Sequence, residues 1–289
     1  VIDSKRTVRG DITWVNTLNV PITDAEFVMT LEGSAVDKAS VTVSEGFYRS
    51  VDNTLLWNRQ TSPSLSSIPP RGEGNVSFSF SPLRLEGGIL PTLRDPEIML
   101  NFSLRGKRLS ERGVPEEITG TLSRRVRVAT DLLLTPQISY TGGPFTQSGP
   151  LPPRVEKETL YTITWSMTNT TSGITDARVG AVLPPYVRWT GAKYPADANV
   201  IFSTLRGEIV WSVGDVPAGT GSTASRKEVS FQVAFLPSVS QLGKTPVIVE
   251  EARISGRSSF SGTVIESKAP ALTTGMLSEG AANVDKVVE

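Results

Sequence analysis

Histidine and cysteine are both absent from the 289 residues. Their absence excludes Ser-His-Asp and Cys-His nucleophilic sites in their usual forms. It also excludes disulfides and the usual zinc sites. Hard cations held by carboxylates and carbonyls remain allowed. Net charge is missing as well: 29 basic and 29 acidic residues cancel. The surface therefore reads as mixed and solvated, not as a face for nucleic acid. No apolar run approaches the roughly 20 residues needed to span a bilayer. Amphipathic helices are also missing. The one helix-leaning stretch is Met276 to Val284, and Gly280 weakens it.

What is present is turn chemistry and alternation. The chain has 20 prolines and 25 glycines. Between them lie short runs with apolar residues at every second position, the mark of half-buried strands. In Thr159 to Met167, Tyr161, Ile163, Trp165 and Met167 share one face. In Ala177 to Leu183, Ala177, Val179, Ala181 and Leu183 do the same, and Pro184-Pro185 stops the run. Val76-Ser77-Phe78-Ser79-Phe80 is the cleanest alternation. A chain of this length suggests roughly two domains at about 100–200 residues each.

The two halves repeat one another. Ile12-Thr13-Trp14 matches Ile163-Thr164-Trp165, and Ile22-Thr23-Asp24-Ala25 matches Ile174-Thr175-Asp176-Ala177. Leu55-Leu56-Trp57 matches Ile209-Val210-Trp211, and Val76-Ser77-Phe78 matches Val229-Ser230-Phe231. Ile118-Thr119-Gly120-Thr121 matches Phe260-Ser261-Gly262-Thr263 at a shorter offset. Ordered matches at a nearly fixed period are the signature of tandem units. Seven or so short strands per unit, with turns between them, predict an immunoglobulin-like sandwich. The paired tryptophans are read as core pieces.

Candidate chemistry is sparse. Asp24 and Asp176 sit at equivalent positions beside threonines and read as Asx-type turn formers. Glu116-Glu117 and Glu250-Glu251 are adjacent pairs, which point to opposite faces of a strand and make no paired-carboxylate site. Arg105, Lys107, Arg108, Arg112, Arg124, Arg125 and Arg127 form small basic clusters without aromatic interleaving. Asn169-Thr170-Thr171 matches a glycan-acceptor triplet, a pattern frequent by chance.

Several pieces of the second repeat, taken together, carry a resemblance. They are Gly149-Pro150-Leu151-Pro152-Pro153, Tyr161-Thr162-Ile163-Thr164-Trp165 and Leu183-Pro184-Pro185-Tyr186-Val187-Arg188-Trp189. Trp211 to Gly221, Lys227 to Gln232, Pro237 to Gly243 and Leu272-Thr273-Thr274 complete them. This text, from about Gly149 to Thr274, resembles the C-terminal part of large surface proteins of candidate-phyla bacteria. Those proteins carry Ig-like repeats related to a conserved bacterial surface repeat domain of unknown function. The resemblance implies an extracellular place on the bacterial cell surface and supplies no catalytic residues.

The expected fold is all-β, two tandem immunoglobulin-like β-sandwich domains. The first spans 1–135, a Pro/Gly-rich connection spans 136–158, the second spans 159–275, and a C-terminal tail follows at 276–289. Ile138, Tyr140 and Phe145 should anchor the connection along the second domain as an edge. The expected function is a non-enzymatic structural protein without a cofactor, one that self-associates into a layer or filament. The alternative is an adhesin or carbohydrate-binding module with a surface glycan or protein partner. The expected joint is the tail, Val284, Asp285, Lys286, Val287 and Val288, read with Val1-Ile2-Asp3 as short strands without obvious partners.

Overall fold

The structure, a computed structural model, describes residues 1–84, 93–110, 113–277 and 284–289. Among them it has twenty β-strands and three short 3-10 turns, with no α-helix. The chain divides into two compact units: of the described residues, the first holds 1–84 and 95–129, and the second holds 93–94 and those from 130 onward.

The first unit has nine strands: β1 (Val8–Val15), β2 (Ile22–Glu32), β3 (Val36–Val43), β4 (Phe47–Arg49), β5 (Thr54–Trp57), β6 (Ser67–Ile68), β7 (Glu73–Pro82), β8 (Glu97–Leu109) and β9 (Pro115–Arg127). They form two antiparallel sheets, β1-β7-β3 and β4-β5-β2-β8-β9, with β6 paired to the start of β2. The second unit has β10 (Leu132–Ser139), β11 (Thr159–Asn169), β12 (Ile174–Val182), β13 (Val187–Tyr194), β14 (Val200–Ser203), β15 (Glu208–Val216), β16 (Lys227–Phe235), β17 (Val247–Val249), β18 (Ala252–Ser258), β19 (Val264–Ala269) and β20 (Leu272–Thr273). Its sheets run β10-β11-β16-β13 and β14-β15-β12-β18-β19, and β17 pairs with β20.

The five-strand order is the same in both units, taken element by element in sequence. So is the order β1-β7-β3 against β11-β16-β13. Both units are therefore the same sandwich, with inner faces meeting in one core each. In the second unit that core includes Tyr161, Ile163, Trp165, Met167, Val179, Trp211, Phe231, Phe235 and Ile254, all buried. In the first, Phe27, Leu31, Leu55, Trp57, Phe80 and Ile98 are buried.

Strand register refines the repeat. Val76 lies opposite Ile12, and Val229 lies opposite Trp165. Ile12 thus takes the place of Trp165, and Trp14 takes that of Met167. The Trp14–Trp165 match was two residues out of step. A slip of two leaves the same residues facing inward, so alternation alone cannot detect it. Trp57 and Trp211 are true equivalents: Phe27 pairs with Trp57 and Val179 with Trp211, each five residues beyond the matched isoleucine. Phe260 to Thr263 is not the partner of Ile118 to Thr121, for it forms the turn between β18 and β19. Gly106 faces Ile118 while Gly256 faces Ile265, so Ile265 holds that place.

Asp24 and Asp176 are not in turns. Each sits inside a strand with positive φ, 50° and 53°. On β2 the pairing jumps from Thr23↔Lys107 to Glu26↔Arg105, and on β12 from Thr175↔Arg257 to Arg178↔Ser255. Two residues, Asp-Ala, oppose one glycine in both cases, which is a β-bulge. Aspartate tolerates the left-handed region better than most residues. The opposing residue has to be small. A Cβ on Gly256 would lie 2.3 Å from Ile174 Cγ2, and one on Gly106 would lie 2.9 Å from Ile22 Cγ2.

A second device is shared. Asn16 and Asn169, both buried, close the ends of β1 and β11. The Asn16 amide donates to the carbonyls of Val20, Ile68 and Pro69 at 2.9–3.1 Å. The Asn169 amide donates to Ser172, Val216 and Pro217 at 2.8, 3.3 and 3.0 Å. Each asparagine thus pins an apolar-Pro corner of the opposite sheet. The Asn169 oxygen accepts from Thr130 Oγ1 at 2.8 Å. Buried in this network, Asn169 is not a glycan acceptor. Asn169→Ala strands these carbonyls and should lower unfolding free energy by about 1–3 kcal/mol. Urea titration of the purified chain checks this. An unchanged midpoint would mean that the carbonyls find other partners.

Candidate functional site

The C-terminal tail is woven into the second unit. The Val287 N–H donates to Lys244 O at 3.1 Å, and its carbonyl accepts the Gly243 N–H at 2.9 Å. The Val288 N–H donates to Pro153 O, and its carbonyl accepts the Val155 N–H, both at 2.9 Å. Two parallel bridges, Leu242↔Val287 and Arg154↔Val288, record the same pairing. The tail therefore lies between the 153–155 and 242–244 segments. The Val287 side chain is 1% exposed and belongs to the core. Lys286 is exposed, while Val284, Asp285 and Val288 are half-buried. Thr274 Oγ1 donates to the Asp285 carbonyl.

At the other end of the chain, the Ile2 N–H donates to Arg127 O and its carbonyl accepts from the Ala129 N–H. Both ends, expected as unpartnered strands, have partners inside their own units. Period-two reading could place Val287 on one face of a strand but could not show which segments would flank it.

The polar candidates are dispersed over exposed faces. Asp24 pairs with Arg59 at 3.0 Å and Lys107 at 3.5 Å. Arg108 meets Glu116 at 3.0 Å and Arg125 meets Glu97 at 3.4 Å, so these members of the basic cluster are interleaved with carboxylates. Arg112 lies outside the described residues. Glu251 meets Lys268 at 2.8 Å, and that hydrogen bond holds its carboxyl below the usual glutamate range. Among the described residues, no three or more Asp or Glu side chains gather in a way that suits a metal ion. The exposed aromatics there are Phe47 and Tyr194, one in each unit, and they form no row. No described helix is long and apolar enough to cross a membrane.

No family model matches the chain, and no curated protein matches it. Matches to solved structures do exist. One is the C-terminal domain of the Streptococcus pyogenes antigen I/II-family protein AspA, at 8% identity and TM-score 0.33, covering 93% of this chain and 92% of that one. Another is a variant of BcpA, the major pilin subunit of Bacillus cereus, at 10% identity and TM-score 0.32, covering 92% and 69%. A third is a putative membrane anchored protein from Corynebacterium diphtheriae, at 10% identity and TM-score 0.30, covering 100% and 92%.

Two outcomes test this account of the surface and tail. Val287→Ala removes most of a fully buried side chain and should cost the second unit roughly 1.5–3 kcal/mol, read as a lower melting midpoint. An exposed, free tail would show no change. The second concerns Asp52, whose carboxyl the Arg49 hydrogen bond holds below the usual aspartate range. A depressed folded-state pKa gives stability above the unfolded value that is lost as pH falls through the folded one. Carboxyl NMR should find Asp52 titrating below ordinary aspartates, and Arg49→Ala should move it upward.

Proposed function

We propose that this chain is a non-enzymatic structural protein of the bacterial cell surface whose copies associate into a layer or filament. One observation carries the reading: the chain builds the same sandwich twice, with matched strand order, matched bulges and matched asparagine locks. Repetition of a rigid unit is the economy of a scaffold, because each copy adds length and surface without new chemistry. Interior side chains are spent on packing, and charged ones on exposed ion pairs.

The joint we assign is the tail, Val284 to Val288. Its main-chain groups are already bonded in its own unit, so it joins copies by exchange and not by simple addition. Exchange recreates the same four hydrogen bonds between two chains, and an exchange that does not close on itself runs on into a fibre. Electron microscopy of the purified chain, with and without residues 284–289, tests this. The full chain should give ordered multimers and the truncated chain single particles. Monodisperse full-length protein at high concentration would remove the self-assembly reading. Equal assembly by both would move the joint away from the tail.

A further inference from the structure

The same bulge carries different chemistry in the two units. In the second, Arg257 and Ser255 stand across from Thr175 and Arg178. The Arg257 guanidinium turns to the tip of its hairpin and donates to Gly262 O at 2.7 Å. β15 runs on past Trp211 to Val216 as a strand. The bulge closes there with Asp176 in no ion pair among the described residues.

The first unit surrounds the bulge with three cations. Register puts Arg105 in the place of Ser255 and Lys107 in that of Arg257. After Trp57 the chain turns where the other unit continues its strand: the Thr61 and Ser62 N–H groups donate to the Asn58 carbonyl at 3.1 and 2.8 Å. That turn brings Arg59 to one oxygen of Asp24 at 3.0 Å, while Lys107 reaches the other at 3.5 Å. Ala25 and Phe27 are buried, so Glu26 and its register partner Arg105 face outward. Neither the Glu26 carboxylate nor the Arg105 guanidinium has an ion-pair or hydrogen-bond partner among the described residues. With the amide side chains of Asn58 and Gln60, these groups line an open recess of about 300 Å³. That size is at the lower end for small-ligand sites. The second unit forms the same bulge without these charges, so the fold does not require them.

We infer that this recess in the first unit binds an acidic sugar, one carrying a carboxylate beside its ring hydroxyls. A guanidinium meets a carboxylate with two parallel N–H···O bonds, and the fork of Arg105 is uncommitted. Lys107 adds a positive charge one outward position along the strand. Glu26 has the opposite task. A carboxylate accepts from sugar hydroxyls and repels a second carboxylate, which favours an acidic sugar over a run of acidic peptide. The Asn58 Oδ1 is occupied by the Gln60 N–H at 2.9 Å, which leaves its Nδ2 to donate. Asp24 holds Arg59 and Lys107 in place beforehand, and groups ordered in advance lose less entropy on binding. Recognition here runs through charge and hydrogen bonds and needs no aromatic row. The inference goes beyond the scaffold reading and does not depend on how copies associate.

The test is titration of the full chain with methyl β-glucuronide at low salt, followed by NMR of backbone amides and arginine side chains. Saturable shifts should appear at residues 24–26, 58–60 and 105–107, and not at the matching 176–178 and 255–257. Methyl β-glucoside lacks the carboxylate and acetate lacks the ring, so each should bind about tenfold more weakly or worse. Arg105→Gln should weaken the glucuronide about tenfold or more. Arg105 is exposed and unpaired, so amides elsewhere in this variant should keep their positions. The proposal is overturned by the absence of saturable shifts at these residues, or by acetate or the glucoside binding as tightly as the glucuronide. Glucuronide affinity unchanged by Arg105→Gln overturns it too.

Discussion

Two packed sheets must cover one another. Any strand that one sheet extends beyond the other leaves apolar side chains in water, at a cost of roughly 25 cal/mol for each Å² exposed. The second unit meets this constraint with four strands facing five, and every inward residue of β11 is buried. Among the described residues, the first unit sets three strands against five. Its half-buried Trp14 and Phe102 and its exposed Leu122 follow from that mismatch in width, not from any weakness in their local sequence.

Within each unit the central strand is shaped by a single irregularity. The Asp-Ala bulge places one extra residue against a glycine and sharpens the strand's twist. The glycine is required because the isoleucine two residues before the aspartate occupies the space a Cβ would take. Ile22 with Gly106, and Ile174 with Gly256, therefore form one steric unit written in two distant parts of the chain. The asparagine locks work similarly at longer range, since one side-chain amide ties a strand end to a corner of the opposite sheet.

The all-β class and the tandem sandwich were legible because alternation and turn residues are local signals. Ile138, expected as an anchor, lies in β10 and pairs with Ile163 of β11. What escaped was anything fixed by register. The tryptophan match slipped by two because period two is blind to that step. The Ile118 match failed because Ser-Gly-Thr recurs in turns as readily as in strands. An aspartate beside threonine suits a turn as well as a bulge, so local text does not separate the two. Asn16 and Asn169 each shortly precede the repeated Ile-Thr-Asp-Ala, and that recurrence is the mark the lock leaves in the sequence. The flanks of the tail were beyond reach, since hydrogen bonds to residues 153–155 and 242–244 leave no mark on the local text.

The long hairpin of the first unit bears on the order in which contacts become affordable. β8 and β9 pair over thirteen residues each, against seven and six for β18 and β19. Bringing β8 to β9 closes only residues 110–114, whereas bringing β2 to β8 closes residues 33–98. Loop-closure entropy makes the second step dearer by about 2 kcal/mol before any bond is gained. Geometry of the chain therefore favours a hairpin that forms from its own turn and then serves as the template on which the earlier strands align. The last strand of the unit in sequence pairs across five residues, where β2 must reach across 66 to meet β8.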